Sequence, residues 1–180
     1  YDGANYAIRN LTGGVGAVNS TIAPTDEIVV GQGFIIKKTN VGNANIIFNN
    51  SMRTSSKGTF FNARTASTDN KIWLKLTTPA KNFNTLLIGY VKGATNGLDR
   101  GYDAEPMTQS SDMFYSVIDN KNLVIQGRNN SFTNNDIVTL GATFFEKGNY
   151  EISISQVEGI FNGSQAVYLR DKTLNKTINL

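Results

Sequence analysis

Lys71-Ile72-Trp73-Leu74-Lys75-Leu76-Thr77 alternates strictly between two kinds of side chain. Ile72, Leu74 and Leu76 fall on one side. Lys71, Trp73, Lys75 and Thr77 fall on the other, the period-two pattern of a strand with one buried and one wet face. On this reading Trp73 shares the wetter face with Lys75 and is partly exposed. The same alternation recurs where Tyr150, Ile152 and Ile154 oppose Glu151, Ser153 and Ser155. Further strand-like runs lie at residues 27–30, 34–39, 45–48, 59–62, 86–91, 113–118, 123–126, 136–140, 149–155, 165–170 and 176–179.

Turn residues separate these runs. Asp119-Asn120-Lys121-Asn122 and Lys147-Gly148-Asn149 stand at hairpin distance between strands, and Asn96-Gly97 and Asn162-Gly163 adopt positive φ easily. No segment shows an apolar period of 3.6 residues over a helix of useful length. Short strands at this spacing predict an all-β fold, an antiparallel β-sandwich wound like a jelly roll.

Composition agrees. The chain has 180 residues, enough for one domain, and 39% of them are hydrophobic, enough for one core. Only 17% are charged, and the polar surface comes from Asn, Thr, Ser and Gly, which favour turns over helices. The net charge is +3, with the basic residues scattered and no run longer than Lys37-Lys38. Nucleic-acid binding needs such charges clustered along one element, so it is not expected. No stretch approaches the ~18 consecutive apolar residues of a membrane-spanning helix. There is no Cys and no His. That removes thiol nucleophiles, imidazole bases, disulfides and the usual zinc sites. No signal peptide opens the chain, and Tyr1 points to a processed or excised segment.

Several segments, in order, resemble a known family. They begin with Tyr1-Asp2-Gly3-Ala4-Asn5-Tyr6, Val30-Gly31-Gln32-Gly33-Phe34-Ile35 and Phe48-Asn49-Asn50-Ser51-Met52-Arg53. Ile72-Trp73-Leu74-Lys75-Leu76, Leu87-Ile88-Gly89-Tyr90, Gly93-Ala94-Thr95-Asn96-Gly97 and Asp99-Arg100-Gly101-Tyr102-Asp103-Ala104 follow. The last are Leu123-Val124-Ile125-Gln126-Gly127-Arg128, Gly148-Asn149-Tyr150-Glu151-Ile152-Ser153-Ile154 and Val167-Tyr168-Leu169-Arg170-Asp171. Together they resemble the domain preceding the C-terminal sorting signal in type IX secretion cargo and surface proteins of Bacteroidota, Flavobacterium-like proteins among them. The resemblance implies a non-catalytic module that is secreted or held at the bacterial cell surface. Such a module supports adhesive regions and, as transported cargo, meets the outer-membrane components of the secretion system. Residues 1–180 then form one sandwich domain, expected to be truncated at both ends relative to the full unit.

Two candidate sites compete with purely structural readings. In the loop between Gly93 and Asp112, Asn96, Asp99, Asp103 and Glu105 bring oxygen ligands close together, with Gly97 and Gly101 allowing sharp turns. Ca²⁺ takes six to eight such oxygens, although this spacing is not that of an EF-hand. The competing reading is that Asp and Asn cap turns through their own backbone. Trp73 and Tyr102, with Tyr115 and Tyr168 as further aromatics, offer rings on which a glycan can stack. A carbohydrate-binding module, calcium-dependent through the acidic loop, is therefore the alternative function, against the ordinary role of such rings in cores and cross-strand pairs. Arg53 and Arg128 are expected to form ion pairs with Asp103 or Asp136. The 14 acidic residues allow a carboxylate pair for glycoside hydrolysis, but no base activates a Ser and no Ser-x-x-Lys occurs, so the chain is not expected to be an enzyme.

Overall fold

The computed structural model describes residues 6–38, 42–43, 45–55, 69–108, 111–163 and 165–180. The strand expected at 59–62 lies outside them. The described residues form eleven strands and two 3₁₀ turns, so the fold is all-β. The strands are β1 (Ile8–Arg9), β2 (Gly14–Val15), β3 (Asn70–Thr77), β4 (Phe83–Val91), β5 (Met113–Ile118) and β6 (Lys121–Leu123). They continue with β7 (Ile125–Asn129), β8 (Leu140–Thr143), β9 (Glu151–Glu158), β10 (Tyr168–Asp171) and β11 (Lys176–Asn179). No described helix is long and apolar enough to cross a membrane.

The central sheet has four strands in the order β7-β4-β3-β9. Strand β3 lies between β4 and β9, antiparallel to both, with Trp73 opposite Leu87 and Leu74 opposite Leu86. A second sheet of three strands runs β6-β5-β8. Its Phe114, Leu140 and Ala142 join Ile72, Leu74, Leu76, Leu86, Ile88 and Tyr90 in the larger core cluster, so the two sheets share one interior.

The opposite face of the central sheet is also covered. Val15, Trp73, Leu87, Val124 and Ile125 form a second buried cluster, with Ile8 packed against it. This corrects the expectation of one buried and one wet face. Lys71 and Trp73 are 8% and 4% exposed, because the segment carrying β1 and β2 lies over their side of the sheet. The Lys71 ammonium lies there beside Asp69, at 3.1 Å, and Glu158, at 4.0 Å.

Two further expectations change. Most pairings are antiparallel, but β4 and β7 run parallel, with Gly89 beside Gly127. A jelly roll is wound from antiparallel neighbours, so this pair departs from that pattern. Residues 27–30, 34–38 and 45–48 belong to no strand, and Val30, Ile35, Ile47 and Phe48 are exposed. Their sequence favours strands, but propensity produces a strand only where a neighbour completes the backbone hydrogen bonds.

The turns follow local chemistry. Asp119 and Asn120, both at positive φ, join β5 to β6 with Ile118 opposite Lys121. That is the two-residue connection whose twist suits a hairpin, and Asp and Asn tolerate it. Between β10 and β11 the Asp171 carboxylate accepts hydrogen bonds from the Thr173 and Leu174 amides, and Asn175 takes the left-handed position.

Candidate functional site

The long loop is ordered by its own acidic residues. The Asp99 and Gly127 amides donate to the two oxygens of Asp103, at 2.6 and 2.8 Å. The Thr95 amide donates to the Asp99 carboxylate, and the Asn129 amide donates to the Asn96 side-chain oxygen at 3.2 Å. Just beyond, Ala104 bridges to Ile125: its amide donates to the Ile125 carbonyl, and its own carbonyl accepts from Val124. The loop is thereby laced to the outer edge of β7.

The same loop holds the N-terminal segment. The Tyr102 carbonyl accepts from the Asn10 carboxamide at 2.8 Å and from the Thr12 hydroxyl at 2.7 Å. The Leu11 amide donates to the Gly101 carbonyl. Thr12 is fully buried, and the paired glycines of β4 and β7 make room for it. A Cβ on Gly89 would come within 2.6 Å of the Thr12 methyl, and one on Gly127 within 2.7 Å of its hydroxyl. Side chains at these two positions would push the N-terminal segment off the sheet.

The expected calcium ligands therefore have other roles. Asn96, Asp99 and Asp103 bind backbone amides, and Glu105 turns to Lys121 at 3.2 Å. Among the described residues no three acidic side chains gather into a metal-binding group. Burial raises the Asp103 carboxyl above its ordinary pKa, while the hydrogen bonds from Asp99 and Gly127 pull it down. With both oxygens engaged by amides, this carboxylate is a latch between the loop and β7.

The expected aromatic platform changes too. Trp73 is buried, and its indole N–H donates to the Gly14 carbonyl at 2.9 Å. Its ring is therefore closed to a sugar. Tyr102 is half-buried, with its hydroxyl against Gly93. Both residues serve to seat the N-terminal segment on the sheet.

Of the two expected arginines, Arg128 forms an ion pair. Its Nε and one terminal nitrogen donate to the two oxygens of Asp136, at 2.8 and 2.5 Å. The Tyr90 hydroxyl donates to the same carboxylate at 2.6 Å. Burial, with the Asp136 hydrogen bond second, raises the Tyr90 phenol well above its ordinary pKa. Arg53 is exposed, at the end of the 3₁₀ turn Asn50–Met52. Sequence reasoning missed Tyr90, Thr12 and the glycine pair. The available signal was Gly89 inside the strand pattern 86–91 and Gly127 directly after the pattern 123–126, and a glycine so placed marks a close approach of chain to chain.

No curated protein and no solved structure matches the chain. A family model matches residues 1–180, and the chain accordingly belongs to the family described as a domain of unknown function, DUF8693.

Proposed function

We propose that this chain is a non-catalytic module of a secreted or cell-surface protein exported by the type IX secretion system, supporting adhesive regions ahead of the sorting signal. The observation that carries this reading is the state of the half-buried acidic groups. Asp103 is held by the Asp99 and Gly127 amides, and Asp136 by Arg128 and the Tyr90 hydroxyl. Such residues stitch a domain together. A catalytic carboxylate instead keeps an oxygen directed at a cleft. The lack of Cys suits a domain that folds after export without a disulfide-forming partner. The ordered sequence segments resembling pre-sorting-signal domains supply the export route.

The test uses the whole protein that carries residues 1–180, in its own host and in a strain lacking the type IX outer-membrane translocon. The expected result is protease-accessible protein at the surface of the first strain and retention inside the second. Equal surface exposure in both strains overturns the export route. Hydrolase activity that is lost on replacing Asp103 or Asp136, with the fold intact, overturns the non-catalytic reading.

A further inference from the structure

A cleft of about 440 Å³ opens on the surface between Asn134, Gln165, Ala166 and Tyr168. It is separate from the acidic loop and from Trp73. Tyr168 stands 65% exposed, while its neighbour Val167 turns inward and packs on the larger core cluster. The strand alternation at the start of β10 thus anchors the backbone and leaves the tyrosine ring in solvent. The side chain of Gln165 donates to the Ala166 carbonyl at 3.1 Å, which fixes its orientation. A carboxamide with one bond made keeps a second amide hydrogen and its carbonyl oxygen as hydrogen-bonding groups. Asn134 supplies a second exposed carboxamide from across the cleft.

Both walls are held by the core. Asn134 sits in the turn closed by the Asp136 amide on the Thr133 carbonyl, at 3.1 Å. Asp136 is fixed by Arg128 and Tyr90. Phe132, just before that turn, meets the Tyr90 ring edge-to-face at 5.0 Å and the Phe161 ring at 5.5 Å. Phe161 belongs to the 3₁₀ turn Gly159–Asn162, from which the chain runs on to Gln165. The Leu180 amide donates to the Val167 carbonyl and ties down the other side. A site needs its groups pre-positioned by buried structure, and here one aromatic cluster and one ion pair position both walls.

The chemistry of the lining selects a ligand class. It holds an exposed phenol ring and two carboxamides, and no charged side chain. An aromatic face stacks on the C–H face of a sugar ring, and carboxamides donate to and accept from its hydroxyls. We propose that the cleft formed by Asn134, Gln165 and Tyr168 is a binding subsite for a neutral carbohydrate unit.

The test is a ¹⁵N NMR titration of the chain with neutral oligosaccharides cut from cellulose, xylan, mannan and β-1,3-glucan, and with oligogalacturonate as the acidic counterpart. The expected result is movement of the Asn134 and Gln165 side-chain amide signals with at least one neutral oligosaccharide. Tyr168→Ala should weaken that binding about tenfold, the loss of one stacking contact. Asn134→Ala, on the opposite wall, should weaken it several-fold and keeps the test valid if the β10–β11 hairpin suffers in Tyr168→Ala. The proposal is overturned if no neutral oligosaccharide moves these signals, if both variants bind as the parent does, or if only oligogalacturonate binds.

Discussion

Residues 70–91 and the mostly exposed runs 28–38 and 45–48 are built from much the same material. Both are rich in branched aliphatic residues, mainly Leu in the first and Ile and Val in the second, and both read as strands. In the first, Leu76, Leu86 and Leu87 are wholly buried; in the second, Ile47 is 70% exposed and Val30 fully so. The difference lies in the neighbours. Strand β3 has β4 on one side and β9 on the other, with a second sheet over one face and the N-terminal segment over the other. Residues 28–38 and 45–48 pair with no described strand. Apolar side chains supply the gain from leaving water, but a closed backbone ladder and an opposing layer are needed to realise it.

The largest expected effect tests that contrast directly. Leu86→Ala should cost about 2–5 kcal/mol, through lost transfer free energy and the cavity left behind. Ile47→Ala should stay within about 0.5 kcal/mol, as is usual for an exposed side chain. Urea unfolding of both variants measures the pair. An equal loss for Ile47→Ala would mean that the exposed run packs against the domain in solution.

Next is Asp136→Ala, which leaves Arg128, 7% exposed, without its carboxylate. Removing one partner of a buried pair costs about 3 kcal/mol, mostly from the stranded charge. Chemical denaturation reads it, and a loss near zero would make the pair an ordinary surface contact. Gly127→Val should cost about 1–3 kcal/mol through overpacking against Thr12 and Tyr102. Gly33→Val, with nothing within 4 Å of its new Cβ, is the matching control in the exposed run and should change little.

A smaller effect concerns pH. The Tyr90 phenol has a folded pKa raised, chiefly by burial, above the ordinary value of 10.0. As pH rises past that value, the unfolded chain releases this proton while the folded chain keeps it. The contribution is therefore intact below pH 10 and is lost progressively above it. Melting temperatures at about pH 9 and 11 should fall more steeply in the parent than in Tyr90→Phe, which has no proton to release there. Equal slopes would disconnect Tyr90 from alkaline unfolding. The smallest effect is that of calcium. Because Asn96, Asp99 and Asp103 already bind amides, added Ca²⁺ should leave the melting temperature unchanged, and a clear rise would restore the loop as a metal site.

Much of the fold was legible where the determinants are local. The alternation at residues 71–77 falls inside β3, residues 176–179 coincide with β11, and the Asp119-Asn120 turn joins β5 to β6. Asp136 was within reach as a partner for Arg128, which follows the apolar run at 123–126. The candidate sites were less legible. Trp73 read as partly exposed because its strand face also carries Lys71 and Lys75, and lysine usually marks solvent. Here Lys71 is buried with acidic partners, so its presence did not signal an open face. Asp99 and Asp103 have the residue types of a cation loop, but backbone amides from β7 and from within the loop engage both oxygens of Asp103 and one of Asp99.

By itself the sequence determined the all-β class, the strand at 71–77, the Asp119-Asn120 hairpin turn and the lack of Cys and His chemistry. These follow from side-chain period, turn propensity and composition, which act within a few residues. Only the tertiary structure decided that the central sheet is covered on both faces, that β4 and β7 run parallel, and that Thr12 fills the space above Gly89 and Gly127. It also decided that Tyr168 faces a cleft opposite Asn134. Each of these joins residues far apart in the chain, and burial depends on which segments meet in space.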